Sequence, residues 1–263
     1  MVILLYRIDY HTHPYSHGED RVQPIHNLDI LKKFVDNARK NNINEIAFTD
    51  HDDFIELFNW DNLTYIKNNA DMIIKLGIEI DFQLNKIEDI KETISKYPFD
   101  FVIGSVHKVR DWEIDHPDYI YNYNNWNIDN LYEKYFSLII KATESALFDI
   151  IGHIDLIKIF NFFPEKKSIM EYIERPLKVI KDNGLAIEIN TNGLNKAVNE
   201  VYPGLDILKR ACELEIPITT GSDAHQPGRV GENFDHIYNL LINIGYKEIV
   251  TFNQREKIKI KIR

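Results

Sequence analysis

Short apolar runs rich in Ile, Val and Phe alternate along the chain with amphipathic stretches of helical period. This alternation is typical of repeated β-α units that build a parallel sheet. Strands are predicted over residues 2–9, 45–49, 72–80, 100–106, 148–153, 185–190 and 217–221. Helices are predicted over residues 27–42, 86–96, 129–146, 168–183, 203–214 and 235–244. Because no linker or low-complexity tract interrupts the 263 residues, we expect residues 1–263 to form a single α/β domain, as α/β barrels of this length do.

A polar residue stands at or just after the C-terminal end of each predicted strand. These residues are His11, His51, Glu79, His107, His153, Asn190 and Asp223. In α/β barrels the active site assembles at this face, because the loops that follow the strands converge there. We therefore expect these side chains to form one site.

The side chains around these strand ends are typical metal ligands. His11 and His13 point to the same side of an extended chain, because side chains alternate with a period of two. Glu79 lies in an apolar run where an unpaired carboxylate would be costly, and its two oxygens suit it to bridge two ions. The candidate metal ligands are His11, His13, His17, His51, Glu79, His107, His153, Asp223 and His225.

This mixture of imidazole and carboxylate ligands favours Zn²⁺, Mn²⁺ or Fe²⁺ over Mg²⁺ or Ca²⁺, which prefer oxygen ligands. The set is larger than one ion can use, so we expect two or three divalent transition-metal ions. The remaining three of the ten histidines, His26, His116 and His236, follow no apolar strand. We expect them to be structural or peripheral.

The charge balance points to a small substrate. The chain carries 31 Lys and Arg against 41 Asp and Glu, a formal net charge of −10, which repels phosphate backbones and anionic membrane surfaces. We expect no nucleic-acid or membrane partner. The single cysteine, Cys212, excludes an internal disulfide, and the apolar start of the chain is too short for a signal peptide. A cytoplasmic location is expected.

The segment over residues 108–128 breaks the regular alternation, since it is long, aromatic and polar. Such a segment is a candidate loop or lid over a site. The alternative is a hydrophobic flap that packs on the barrel, because aromatic loops usually pack.

The strand-end motifs together resemble a known family. They are Asp9-Tyr10-His11-Thr12-His13, Thr49-Asp50-His51, Gly77-Ile78-Glu79, Gly104-Ser105-Val106-His107, Gly152-His153-Ile154-Asp155-Leu156, Glu188-Ile189-Asn190-Thr191 and Gly221-Ser222-Asp223-Ala224-His225. Over nearly its whole length the chain resembles the polymerase and histidinol phosphatase (PHP) family, and within it the stand-alone histidinol-phosphatase branch.

The resemblance implies a distorted (β/α)7 TIM-like barrel with a trinuclear metal site at the C-terminal end of the strands. One ion would take His11, His13, Glu79 and Asp223. A second would share Glu79 and add His107 and His153, and a third would use His17, His51 and His225.

The function that the resemblance implies is metal-dependent hydrolysis of a phosphomonoester, with L-histidinol phosphate as the expected substrate. Glu79, Asp223 and His225 would be catalytic. Lys158 and Arg229 are candidates for binding the phosphate, and Asp52 for binding the cationic half of the substrate. Relatives often carry arginine where this chain has Lys158, and lysine lacks the planar two-pronged grip on phosphate.

Three alternatives stay open. The first is another phosphoesterase of the same family that acts on nucleotides or short oligonucleotides. The second is a metal-dependent amidohydrolase; such enzymes commonly use a carbamylated lysine, and the motifs here place no lysine at a strand end except Lys158, which follows its motif. The third is a metal-binding module without activity. The loaded metal, the oligomeric state and the pathway are not predicted.

Overall fold

A computed structural model of the protein describes residues 5–15 and 25–263. Seven strands run parallel to one another in chain order and form a single sheet. They are β1 (Ile8–Asp9), β2 (Glu45–Phe48), β3 (Ile73–Asp81), β4 (Phe101–Ser105), β5 (Ile150–Ile151), β6 (Ala186–Asn190) and β7 (Ile218–Gly221).

The first and last strands of the sheet meet along a seam. The backbone amide of Tyr10 donates to the carbonyl of Thr220 at 2.9 Å, and that of Asp223 donates to His11 at 2.7 Å. Asp9 reinforces the seam, because it accepts hydrogen bonds from the amide and the hydroxyl of Ser222 at 2.8 and 2.6 Å. The predicted fold class, a distorted (β/α)7 TIM-like barrel, is confirmed.

Helices follow the strands and cover the outside of the sheet. They are α1 (Leu28–Lys40), α2 (Trp60–Asn69), α3 (Ile87–Lys96), α4 (Ile128–Glu144), α5 (Ile169–Asp182), α6 (Leu205–Glu213) and α7 (Phe234–Ile244). Helix α1 begins where the side chain of Asn27 accepts a hydrogen bond from the amide of Asp29, which satisfies one of the free donors of the first turn. Its apolar face is buried against the sheet. Among the described residues, no helix is both long enough and apolar enough to cross a membrane.

The core lies on both sides of the strands. Every residue of β2, β4 and β6 is buried, as expected for parallel strands with the barrel interior on one side and helices on the other. A carboxyl-terminal hairpin of β8 (Glu248–Asn253) and β9 (Glu256–Lys261) lies at the opposite end of the barrel from the strand-end motifs. There the ring of Phe252 packs 5.8 Å from that of Phe101, and the amide of Arg255 donates to the carbonyl of Asp100.

Several elements differ from those predicted. Helix α2 and the hairpin of β8 and β9 were not expected, and the predicted strand over residues 148–153 shortens to β5. The segment 108–128 is ordered, with a short hairpin of Lys108–Val109 and Trp112–Glu113 followed by a 3-10 helix over Pro117–Asn125.

Candidate metal centre

Glu79 lies at the centre of the strand-end residues, with its side chain almost fully buried. The strand β3 carries it into the mouth of the barrel. Five imidazole nitrogens surround its carboxylate, namely His11 Nε2 at 3.2 Å, His13 Nε2 at 3.5 Å, His51 Nδ1 at 3.1 Å, His107 Nε2 at 3.4 Å and His153 Nε2 at 3.0 Å. The first three face Oε2 and the last two face Oε1, so each oxygen of Glu79 meets its own group of ligands.

Asp223 and His225 approach the same cluster from the loop after β7. Asp223 Oδ1 lies 3.4 Å from His13 Nε2 and 3.5 Å from His225 Nδ1. The backbone of Asp223 is left-handed, with φ 53°, which non-glycine residues rarely adopt and which costs on the order of 1–3 kcal/mol. The amide hydrogen bond to His11 holds this conformation, and it turns the carboxylate towards the cluster.

The described residues provide three overlapping groups that can each hold a metal ion. They are His11 with His13 and Glu79, Glu79 with His107 and His153, and His13 with His51 and His225. Two of these groups share residues with two of the ions that the resemblance implies, but the third places His13 with His51 and His225, and none of the three includes Asp223. His17 lies outside the described residues.

The donor atoms fit transition-metal ions. The Nε2 atom of His11 is buried and has no hydrogen-bond partner among residues 5–15 and 25–263, although it faces the Glu79 carboxylate. A buried polar atom without a hydrogen bond is costly unless another ligand satisfies it. Nitrogen and oxygen donors in this mixture suit Zn²⁺, Mn²⁺ or Fe²⁺.

The electrostatics of the cluster favour cations. Burial alone would raise the pKa of Glu79, but His11, His51 and His107 hold it well below its usual value. Burial alone would lower the pKa of His11, but the carboxylates of Glu188, Glu79 and Asp223 outweigh it and hold that pKa well above its usual value. Burial and the neighbouring His225 lower the pKa of His13 to about 3, so its imidazole is neutral and available as a ligand.

Buried carboxylates stand behind the imidazoles, and sequence reasoning did not assign them a role. Glu188 Oε1 lies 2.6 Å from His11 Nδ1, and its other oxygen accepts the amide of His153 at 2.9 Å. Gly221 makes this possible, because a Cβ there would lie 2.3 Å from Glu188 Oε1. Such partners fix the tautomer and the orientation of a ligand imidazole. A charged residue within an otherwise apolar strand was the signal that could have identified Glu188.

A cavity of about 460 Å³ opens from the cluster to the surface. Its wall includes five carboxylates, from Asp52, Asp53, Asp81, Glu113 and Asp115, together with two lysines, Lys108 and Lys196. Lys108 is held by Asp81 and Glu113 at 3.9 and 3.3 Å. Lys196 is exposed and makes no ion pair within the described parts of the chain. Sequence reasoning missed Lys196.

The segment 108–128 forms one wall of this cavity. Its residues Glu113, Asp115, His116 and Pro117 face the opening, while Trp112 is buried and its ring packs edge-on against another aromatic ring of the same segment. Part of the segment therefore lines the site, as expected for a loop or lid, and part of it is packed, as expected for a hydrophobic flap.

The three residues proposed for substrate binding lie in different surroundings. Asp52 lines the cavity, and burial together with the charges of Asp53 and Asp81 raises its pKa to about 7. Lys158 is almost fully buried, and its ammonium contacts Asp155 at 2.8 Å.

The ammonium of Lys158 also contacts Glu200 at 2.5 Å and the carbonyl of Val201 at 3.0 Å. Arg229 contacts Glu232 at 3.0 Å and Asn192 at 2.8 Å. Neither cation is on the cavity wall. Their assignment to phosphate stays a prediction, and these contacts do not support it.

Comparisons with known proteins find relatives named histidinol-phosphatase. A protein of Deinococcus radiodurans named probable histidinol-phosphatase is 37% identical over 183 residues, which cover 70% of this chain and 69% of that one. The histidinol-phosphatase of Lactococcus lactis is 24% identical over 94% of both chains.

Two solved structures share the fold. The histidinol phosphate phosphatase of Lactococcus lactis, complexed with zinc, L-histidinol and phosphate, superposes with a TM-score of 0.74 at 21% identity and covers 97% of this chain and 100% of that one. A protein of Listeria monocytogenes described as a putative histidinol phosphatase superposes with a TM-score of 0.75 at 21% identity, over 88% of this chain and 99% of that one. The PHP domain family model matches residues 9–192, and the chain therefore belongs to the PHP family, as its sequence motifs predict.

Proposed function

We propose that the protein is a metal-dependent phosphatase that hydrolyses L-histidinol phosphate to L-histidinol and phosphate. The observation that carries the proposal is the position of Glu79, whose two oxygens face separate groups of imidazoles inside a cavity. The relatives named histidinol-phosphatase support the choice of substrate.

Glu79, His11, His13, His51, His107, His153, Asp223 and His225 would hold the ions, with His17 added from outside the described residues. When bound, such ions polarise phosphoryl oxygens and lower the pKa of water. Glu79 and Asp223 supply the negative charge that holds cations in the site, and the neutral imidazole of His13 supplies a lone pair. A catalytic role for His225 stays a prediction.

The cavity wall suits a substrate with an anionic end and a cationic end. Lys196 offers an ammonium that the described residues leave without an ion-pair partner, so it is our candidate for binding the phosphate. Asp52 is one of the carboxylates of the wall, where a positively charged amine or imidazole would find acceptors. L-histidinol phosphate carries charges of both signs.

The proposal includes a small phosphorylated substrate, no nucleic-acid partner and a cytoplasmic location. The net charge of −10 weighs against a polynucleotide. A cytoplasmic location fits a charged phosphoester, because such a molecule does not cross a membrane unaided. The single domain over residues 1–263 is part of the same proposal.

The test is phosphate release by protein whose metal content has been measured. L-histidinol phosphate, a nucleoside monophosphate and a nucleoside bisphosphate are compared at equal concentration, and kcat/KM is measured for each. We expect kcat/KM for L-histidinol phosphate to exceed the others by at least about 100-fold, since a site with matched charged contacts rejects analogues that leave them unpaired. Preference for a nucleotide would overturn the choice of substrate, and no phosphate release from any of them would overturn the activity.

A further inference from the structure

His26 lies outside the metal cluster and next to the start of α1, yet it is buried. Its backbone is left-handed, with φ 55°. Its Nε2 atom lies 2.7 Å from Oδ2 of Asp50, the ring of Phe58 packs edge-on at 4.7 Å, and Asn62 donates to its carbonyl at 3.0 Å. These contacts fix the imidazole of His26 against one carboxylate.

Asp50 links His26 to the metal cluster. It lies two residues after the end of β2 and is almost fully buried. While Oδ2 faces His26, Oδ1 accepts the amide of Tyr15 at 3.0 Å and lies 3.8 Å from Nδ1 of His13. Because both oxygens are engaged, the carboxylate cannot rotate freely, and Oδ1 stays towards His13.

His13 contributes to two of the three metal-ligand groups, through a ring whose Nε2 faces both Glu79 and Asp223. Asp50 Oδ1 lies behind Nδ1 of His13 at 3.8 Å, which is longer than a hydrogen bond, whereas Glu188 lies 2.6 Å from Nδ1 of His11. The amide of Tyr15, two residues after His13, donates to the same Oδ1 at 3.0 Å, so Asp50 fixes the backbone that carries His13 as well as facing its ring.

If the buried pair of His26 and Asp50 only filled space, it would be less favourable than apolar side chains of similar volume, because burial removes the hydration of its polar groups. Its position behind a residue shared by two ligand groups supplies a different reason for its presence. We propose that His26 is a positioning residue for the metal centre, which acts through Asp50 to hold His13 in the orientation that binds metal. The inference rests on the metal centre and not on the identity of the substrate.

The experiment measures Zn²⁺ affinity by competition with a chromophoric chelator, and ions per chain by elemental analysis. The main variant is His26→Asn, because asparagine tolerates a left-handed backbone but is too short to reach Asp50. We expect Zn²⁺ binding at one ion to weaken by about 10-fold or more, in the range found when outer partners of metal ligands are removed. His26→Gln, whose longer amide can donate to Asp50, should recover part of the affinity. The exposed His236, replaced as His236→Asn, is the matched control and should change nothing.

The Asp50→Asn variant tests whether the effect of His26 on the metal centre passes through Asp50. If His26 acts through Asp50, the double variant should bind Zn²⁺ about as weakly as Asp50→Asn alone. Unchanged Zn²⁺ affinity in folded His26→Asn would overturn the inference. It would also be overturned if the loss of affinity in the double variant equalled the product of the losses in the two single variants. Failure of both His26 variants to fold, judged by circular dichroism, would also overturn it, because the pair would then belong to the scaffold. None of these readouts needs a substrate, so an error in the proposed substrate leaves the test intact.

Discussion

Ser105 donates a hydrogen bond of 2.6 Å from its hydroxyl to Oε1 of Glu79, across the pairing of β4 with β3. The bond holds the carboxylate so that its oxygens face different imidazoles. A carboxylate fixed in this way would be able to hold one ion at each oxygen.

Replacing Glu79 with Gln should remove at least one ion per chain and lower the rate of phosphate release by more than about 100-fold. The reason is that even the loss of an outer partner of a metal ligand lowers metal affinity or activity by about 10–100-fold. The control is Glu45→Gln, since Glu45 is also buried but accepts its hydrogen bonds from Tyr6 and Tyr10 instead. Elemental analysis measures the number of ions per chain, and a phosphate assay measures the rate of phosphate release. Full metal content in Glu79→Gln would contradict a bridging role.

Lys196→Ala should raise KM for the phosphomonoester by about 10-fold and leave kcat nearly unchanged, because a charge-assisted contact to the phosphate contributes about 1.5 kcal/mol or more. Lys209→Ala removes an exposed lysine on α6 and serves as the control. Steady-state kinetics at saturating metal measure both. Equal KM values for the two variants would remove Lys196 from the phosphate site.

Lys158→Met distinguishes a structural lysine from a phosphate ligand. It leaves the buried carboxylate of Asp155 without its ion-pair partner, so we expect the free energy of unfolding to fall by about 3 kcal/mol. We expect KM to stay unchanged. Lys178→Met breaks an exposed pair with Glu174 and should have little effect. Denaturant titration and kinetics are measured on the same samples. A raised KM in a stable Lys158→Met protein would restore this lysine to the phosphate site.

Removal of metal should lower thermal stability. Ions that bind only the folded state stabilise it by about 2.7 kcal/mol when their free concentration is 100 times the Kd. We expect a chelator to lower the Tm of the native protein and added Zn²⁺ to restore it, whereas Glu79→Gln should respond much less. Calorimetry with and without chelator measures the shift, and an equal response of both proteins would count against a site built around Glu79.

The pair of Glu174 on α5 and Arg210 on α6 predicts a pH dependence of stability. Hydrogen bonds from Arg210 and Lys178 lower the pKa of Glu174 to about 2. The folded carboxylate therefore releases its proton more readily than the unfolded one, so its stabilising contribution is complete above the ordinary glutamate pKa and is lost as the pH falls towards 2. Arg210→Met should lower the Tm at pH 7, and the difference should shrink at pH 3. A difference that is the same at both pH values would contradict this origin.

The strand ends of the site could be predicted because a histidine or glutamate next to an apolar run is visible in the linear sequence. The hairpin of β8 and β9 was missed for a physical reason. Its turn residues Gln254 and Arg255 both have a left-handed backbone, with φ 48° and 68°, yet neither is the Gly, Asn or Asp that signals such a turn. Helix α2 was missed because its buried residues, Leu63 and Ile66, form only a narrow apolar stripe.

The partners of long side chains could not be predicted in the same way. Lys158 follows a ligand motif closely, but Glu200, which is 42 residues away in the chain, binds its ammonium and keeps it from the cavity. His26 was expected to be structural or peripheral, and nothing in its sequence neighbourhood indicates that Asp50 lies against it. Such contacts depend on how the helices and loops after different strands pack, and sequence spacing does not specify this.

The seam between β1 and β7 determines when the site can form. Asp9 and Ser222 are 213 residues apart in the chain, and their contact brings together the loops that carry His11, His13, Asp223 and His225. Contacts of such long sequence separation form slowly, because the entropy of closing the loop is lost before the contact is gained. A chain still emerging from the ribosome holds only part of the ligand set until β7 has been made. The complete set of metal ligands therefore comes together only after the first and last strands of the sheet have paired.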